Sequence, residues 1–193
     1  MQAIGNILTF ITEIEKLKDI QRKSRPIGLK RYENSAEHSW HVALSALVLK
    51  DYANEPVNIE RVIKMMLIHD LGEIEAGDTI IYSSETAELK SKEKTCIAKL
   101  FTNIQPDLKD ELLVLWEEFE TGKSADAKFA KAIDRLPPLL HNIHDEGHGW
   151  KKHGITKEQV FALNSARIGA GSEKLWSAVE QKLNKAVEDG FLS

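Results

Sequence analysis

The sequence has one cysteine, no long apolar run and no excess of basic residues, and each absence narrows what the protein can be. Cys96 alone cannot form an internal disulfide, which favours a reducing compartment. The longest apolar run, residues 42–49, includes Ser45 and is far shorter than the roughly 20 residues that a membrane-spanning helix needs. The N-terminus has no basic leader. We therefore predict a cytoplasmic protein with no membrane association.

The charge of the chain indicates which class of partner to expect, and its length indicates how many domains it forms. The 26 Lys and Arg residues are outnumbered by 30 Asp and Glu residues, so no broad basic surface is expected for long nucleic acid. A small-molecule partner is expected instead. At 193 residues and 42% hydrophobic composition, residues 1–193 are predicted to form one domain with a proper core.

Apolar residues recur at helical rather than alternating spacing along nearly the whole chain, which predicts an all-α fold. Ser35 and Thr156 are expected to cap helices, and Gly72 to end one. Predicted helices cover about residues 6–20, 35–54, 59–72, 85–104, 108–121, 125–144 and 156–189. The stretch 72–84 is expected to be a loop, Pro137-Pro138 to kink or restart a helix, and residues 169–171 to interrupt the last one.

The strongest chemical signal is the adjacent pair His69 and Asp70, which follows the apolar run of residues 65–68. An unpaired charge that emerges from a buried helix is costly, so a compensating cation is expected there. Imidazole and carboxylate ligands suit a divalent metal such as Mn, Co, Fe, Ni or Zn, with Mg also possible, and the sequence does not choose among them.

Four motifs accompany this pair: E-H-S at 37–39, H-D-x-x-E at 69–73, G-D at 77–78 and K-A-I-D at 131–134. They resemble the H…HD…D signature of HD-domain phosphohydrolases. Their order and wording are similar to the bacterial 5'-deoxynucleotidases and the related eukaryotic HD-domain-containing protein 2 group. The resemblance spans about residues 6–150, and it implies a single compact HD-domain helical bundle, a nucleotide substrate and a homodimer.

The resemblance also implies a role for seven residues. It makes His38, His69, Asp70 and Asp134 the ligands of one divalent metal ion. Glu73 resembles the acidic residue that orients or deprotonates the attacking water. Asp78 resembles the residue that contacts the substrate sugar or the leaving oxygen, and Arg22 resembles the basic residue that binds the phosphate. The reaction expected from this set is release of phosphate from a deoxyribonucleoside 5'-monophosphate.

Several alternatives stay open at this stage. Arg25 or Arg31 could grip the phosphate instead of Arg22, and His41 competes with His38. The same site could act on a larger nucleotide, such as a triphosphate or a signalling nucleotide, or it could belong to a metal-binding regulatory protein without turnover.

A cluster of further histidines invites a second metal, but it is expected to be a solvated face. Residues 71–140 contain no histidine, which argues for one metal. The cluster consists of His141, His144, His148 and His153.

Overall fold

The structure is a computed structural model, and it describes residues 2–79, 82 and 86–193. Its helices, in chain order, are α1 Gln2–Ile14, α2 Ser35–Leu49, α3 Ile59–Ile68, α4 Glu73–Ala76, α5 Ala87–Leu100, α6 Pro106–Thr121, α7 Ala125–Asp134, α8 Leu136–His144, α9 His148–His153, α10 Lys157–Gly171 and α11 Glu173–Glu188. Short 3-10 helices at Glu15–Asp19, Lys50–Tyr52 and Phe101–Asn103 follow α1, α2 and α5. Within those ranges no strand forms, and an isolated bridge joins Gln21 to Asn34. The all-α prediction is confirmed.

Helix α7 lies at the centre of the packing, because it contacts α2, α3, α6, α8 and α10. Its Phe129 and Ile133 are fully buried. Helix α10 approaches it closely at Gly171, where an added Cβ would lie 2.4 Å from the Lys128 carbonyl oxygen. This central helix carries Asp134 at its last residue, so the packing positions that carboxylate.

Several helix ends differ from the predicted ones. Asn34, not Ser35, caps α2, and its side chain forms a capping box with Glu37. Helix α3 ends at Ile68, so His69 to Gly72 form turns rather than a helical end. The predicted loop at 72–84 contains helix α4, which starts at Glu73, while residues 80, 81 and 83–85 of that stretch lie outside the described residues.

The C-terminal part is divided more finely than the pattern predicted. The capping box of Thr156 and Gln159 is present, but the single helix expected at about 156–189 is two helices separated at Ser172. The interruption expected at residues 169–171 falls just after them, at Ser172, because α10 continues through Gly171. At Pro137-Pro138 the chain restarts as α8, since proline is tolerated in the first turn of a helix. Among the described residues, no helix is long and apolar enough to cross a membrane.

Candidate metal centre and its cavity

The side chains of two histidines and one aspartate, each from a different helix or turn, lie close together. His38 comes from the first turn of α2, His69 from the turn after α3, and Asp134 from the end of α7. One ligand atom of each lies within 4.8 Å of those of the other two. Nε2 of His38 is 2.9 Å from Oδ1 of Asp134, and Nε2 of His69 is 3.6 Å from the same oxygen. This spacing is compatible with ligand bonds of about 2.0–2.2 Å to one shared ion.

Asp70 lies beside the same group. Its Oδ1 is 3.1 Å from Nε2 of His69, and its Oδ2 accepts a 2.7 Å hydrogen bond from the Arg22 guanidinium. The turn that follows α3 therefore brings two adjacent residues to one point, which a continuing helix would have separated by about 100°.

The surroundings of His69 favour a cation in this cluster. Nδ1 is 2.9 Å from the carbonyl oxygen of Met66, so it carries the hydrogen in the neutral ring. Nε2 is buried without a hydrogen-bond partner, and it faces oxygens of Asp70 and Asp134. A lone pair opposite two carboxylate oxygens is repulsive unless a proton or a metal ion lies between them. The donor set is that of a divalent-metal site.

The pKa values of the metal-free protein have the same cause. Burial lowers the pKa of His69, but the nearby negative charges of Asp70 and Asp134 outweigh it and raise the value to about 9. Burial also opposes the charge of Asp134, yet the hydrogen bond with His38 and the nearby charge of His69 hold its pKa well below the usual range. A proton on His69 thus supplies the positive charge that a metal would supply.

Glu33 supports the cluster from behind. Its Oε2 lies 3.3 Å from Nδ1 of His38, 3.4 Å from Nε of Arg22 and 3.9 Å from Nδ1 of His141. Neither Oε2 of Glu33 nor Nδ1 of His38 has a hydrogen-bond partner among the described residues, so their contact is electrostatic. A carboxylate beside Nδ1 would favour the hydrogen on that nitrogen when Nε2 binds a metal ion. Glu33 precedes the N-cap residue and follows no periodic pattern, so only the tertiary structure identifies it.

His141 corrects one prediction. It was expected on a solvated face, but it is 3% exposed, and its Nδ1 lies 3.1 Å from Oγ of Ser24. Burial lowers its pKa, which keeps the ring neutral. Its donor atoms, with those of Glu33 and His41, form a second group within 4.8 Å. His41 belongs to this second group and His38 to the first, so the two competing histidines are separated by the fold.

A cavity of about 470 Å³ opens beside the cluster, and its size suits a small organic molecule. Among its lining residues are His69, Asp70 and Asp134, together with Glu73 and Asp78. Because Arg22 borders it as well, six of the seven residues singled out from the sequence line one cavity. His38 is fully buried behind that wall.

The two further acids are both shifted towards their neutral forms. Glu73 Oε2 accepts a 2.7 Å hydrogen bond from Oγ of Ser35, and burial with the charge of Asp70 raises the pKa of Glu73 to about 9. Burial raises the pKa of Asp78 to about 6, against the opposing charge of Arg22. Lys23 lies 3.9 Å from Asp78. A neighbouring cation would favour ionisation of both acids.

The basic residues of the 22–31 segment divide into two sets. Arg22 lines the cavity and lies between Asp70 and Glu33. Burial opposes its charge, but the nearby carboxylates, Asp70 first, hold its pKa above the usual value. Arg25 instead pairs with Asp145 through two hydrogen bonds, and Arg31 pairs with Glu37. Neither Arg25 nor Arg31 lines the cavity.

Comparison with known proteins places the chain in a family that this site geometry suggests. A model of the HD domain matches residues 14–176, so the protein belongs to the HD domain family. The family predicted from the four motifs is confirmed.

Named relatives narrow the comparison. The 5'-deoxynucleotidase HDDC2 of Bos taurus is 34% identical over 189 residues, which cover 87% of this chain and 91% of the relative. The Homo sapiens protein of the same name is 32% identical over 137 residues, or 70% of this chain and 66% of the relative. A crystal structure from Magnetospirillum magnetotacticum, described as a predicted metal-dependent phosphohydrolase, is 43% identical with a TM-score of 0.92 and full coverage of both chains.

Proposed function

We propose that this protein is a metal-dependent phosphohydrolase that releases phosphate from deoxyribonucleoside 5'-monophosphates. The observation that carries the proposal is the buried Nε2 of His69, which faces two aspartate oxygens at the wall of a nucleotide-sized cavity. The reaction class agrees with the relative from Magnetospirillum magnetotacticum, and the substrate class with the two 5'-deoxynucleotidases.

The proposed ligands of one divalent ion are His38, His69, Asp70 and Asp134. These are two imidazoles and two carboxylates, a set that suits Mn, Co, Fe, Ni, Zn or Mg. Such an ion lowers the pKa of water and withdraws electron density from a phosphoryl group.

Three further residues are proposed to act on the attacking water, the sugar or leaving oxygen, and the phosphate. Glu73 is proposed to orient the attacking water and accept its proton, for which its hydrogen bond to Ser35 fixes the carboxylate. Asp78 is proposed to meet the sugar or the leaving oxygen from the same cavity wall. Arg22 is proposed to contact the phosphate while it holds Asp70 in place.

The test is a phosphate-release screen against ribo- and deoxyribonucleoside mono-, di- and triphosphates, each with Mn, Co, Mg and Zn. The proposal expects the fastest release from deoxyribonucleoside monophosphates. Release from triphosphates alone would support a larger nucleotide as substrate, and metal binding without any release would support a regulatory protein. Asp70→Asn is the inactive control, because it removes a proposed ligand and keeps the side-chain volume.

The molecular organisation is proposed on separate grounds. We propose that residues 1–193 form one domain, since the buried core includes residues from Leu17 to Leu192. We also propose a cytoplasmic homodimer, as the family resemblance implies. An exposed apolar stripe on α2 supports a dimer, because such a face is expected to find a partner. The stripe consists of Trp40, Leu44, Leu47 and Val48.

Light scattering during size-exclusion chromatography tests the dimer. The wild-type protein is expected to elute at twice the chain mass, and Leu44→Glu at the chain mass with unchanged helicity. A wild-type protein that elutes as a monomer at all concentrations rejects the dimer.

A further inference from the structure

The cavity contains more cationic side chains than the predicted phosphate-binding residue alone. Arg22 and Lys23 lie at one part of its wall, and the others come from α5, α7, α10 and the junction before α8. These others are Lys90, Lys131, Arg135 and Arg167. An anionic substrate is expected to meet those whose charge is least satisfied by the protein itself.

Most of these cations already have a partner. Arg22 pairs with Asp70 and Glu33, and Lys23 lies 3.9 Å from Asp78. Others contact acids or amides elsewhere in the fold: Lys90 lies 3.4 Å from Glu120, and the buried Arg135 donates to Asn164.

Lys131 differs from them. Within the part of the chain that the structure describes, no carboxylate oxygen lies within 4.0 Å of its Nζ. Its ammonium group lies 4.8 Å from the centre of the Phe119 ring, a contact that stabilises a cation only modestly. Burial lowers the pKa of Lys131, and the nearby charge of Glu120 opposes this shift without cancelling it. The cavity therefore holds an ammonium group that no carboxylate of the described residues contacts directly, although Glu120 and Asp134 act on it from a distance.

The position of Lys131 suits a role next to the metal centre. Lys131 and Asp134 are three residues apart on α7 and thus share one face of the helix. The Phe119 ring that contacts the ammonium also lies 5.2 Å, centre to centre, from the ring of His69. The lysine stem passes Gly122, where an added Cβ would lie 3.1 Å from Cδ of Lys131. Gly122 has a φ of 63°, so the turn that ends α6 both requires glycine and leaves room for the stem.

We propose that Lys131 binds a phosphate oxygen of the substrate, as a second phosphate-binding cation besides Arg22. This proposal rests on the proposed function and deepens it. The ammonium group compensates the phosphate charge, and the phosphate supplies a direct counter-charge that no carboxylate of the described residues supplies within 4.0 Å.

Binding of inorganic phosphate to the Mn²⁺-loaded protein tests the proposal without any turnover. Titration calorimetry is expected to show about 10- to 100-fold weaker phosphate binding for Lys131→Met, the factor that loss of one hydrogen bond to a charged group predicts. Lys131→Arg should restore most of the affinity. The matched control is Lys128→Met, since Lys128 lies one turn earlier on α7 and pairs with Glu55 away from the cavity.

Kinetics with a deoxyribonucleoside 5'-monophosphate provide the second measurement. For Lys131→Met, kcat/KM should fall by a similar factor, while Mn²⁺ affinity and the circular dichroism spectrum stay at the wild-type values. Lys131→Gln is measured in parallel, because its amide keeps a polar group at this half-buried position. A loss shared by both variants is then due to the missing charge and not to disturbed packing.

The outcomes separate the two proposals. If Lys131→Met and Lys131→Gln bind inorganic phosphate as tightly as the wild-type protein, Lys131 does not bind the phosphate. An equal loss of phosphate affinity in Lys128→Met would also overturn the role of Lys131, since the loss would then come from the lower net charge of the protein. If the wild-type protein binds phosphate but releases none from any nucleotide, the proposed function is rejected. Phosphate binding by the Lys131 variants would still decide whether Lys131 binds phosphate.

Discussion

Glu33 and His38 form a carboxylate–imidazole pair, with Oε2 of Glu33 3.3 Å from Nδ1 of His38. The pair is 2% and 0% exposed, so water does not replace the contact. Nε2 of the same imidazole is 2.9 Å from Oδ1 of Asp134, so Glu33 is placed to favour the hydrogen on Nδ1 if Nε2 binds a metal ion.

Replacement of Glu33 by Gln is expected to weaken divalent-metal binding by about 10- to 100-fold, because the ring loses the carboxylate that orients it. Competition with a fluorescent chelator measures this affinity. Glu37→Gln is the matched control, since Gln also completes a capping box at that position. Unchanged metal affinity in Glu33→Gln would show that the pair is only structural.

Replacement of Glu73 by Gln is expected to separate metal binding from catalysis. The variant should bind the metal as the wild-type protein does, and lose about 10²- to 10⁴-fold in kcat, since the proposed proton acceptor is gone. The control is Glu75→Gln on the same short helix, where the side chain is exposed and pairs with Lys99. Equal losses of metal affinity and rate in Glu73→Gln would reassign Glu73 to the support of the site.

The metal-free protein is expected to lose stability as the pH rises from about 6.5 to about 9. The folded protein holds the His69 proton more tightly than the unfolded chain does, because the pKa of His69 is raised to about 9. That stabilisation is complete below pH 6.5 and disappears as the pH passes the folded-state pKa, a change on the order of 3 kcal/mol. The raised pKa of Glu73 acts in the same direction.

Urea unfolding in the presence of a chelator measures this trend, and His144→Gln, which removes an exposed histidine, should keep it. Metal affinity should rise over the same pH range, because a metal displaces the His69 proton. Stability of the metal-free protein that increases between pH 6.5 and 9 would contradict the arrangement of charges at His69.

The contact between α7 and α10 predicts opposite effects for two glycines of α10. Gly171→Ala should lower the free energy of unfolding by about 1–3 kcal/mol, since its Cβ would lie 2.4 Å from the Lys128 carbonyl oxygen and 2.7 Å from the Ala132 Cβ. Gly169→Ala meets nothing within 4 Å and should stabilise the helix by about 0.5–1 kcal/mol. Thermal unfolding of the two variants checks the pair, and a shift of the same sign in both would contradict the close packing.

Local features of the structure follow from nearby residues, and the sequence predicted them for that reason. Helical periodicity indicated the all-α fold, and Thr156 with Gln159 indicated the start of α10, because side-chain spacing and caps act within a few residues. The pair His69 and Asp70 was visible for the same reason. The cap at Asn34 and helix α4 were missed, since adjacent polar residues compete for a cap and four residues carry too little periodicity.

What the tertiary structure alone decided depends on residues that are distant in sequence. The sequence by itself determined the helices, the motif family and the short list of candidate ligands. Packing of α2, α7 and α8 against the segment that connects α1 to α2 decided that His141 is buried. It also decided that Glu33 contacts His38 and that Arg22 pairs with Asp70. It also left Lys131 without a carboxylate partner among the described residues. Burial and charge compensation are properties of the assembled environment, and no local pattern encodes which distant side chain arrives to satisfy a charge.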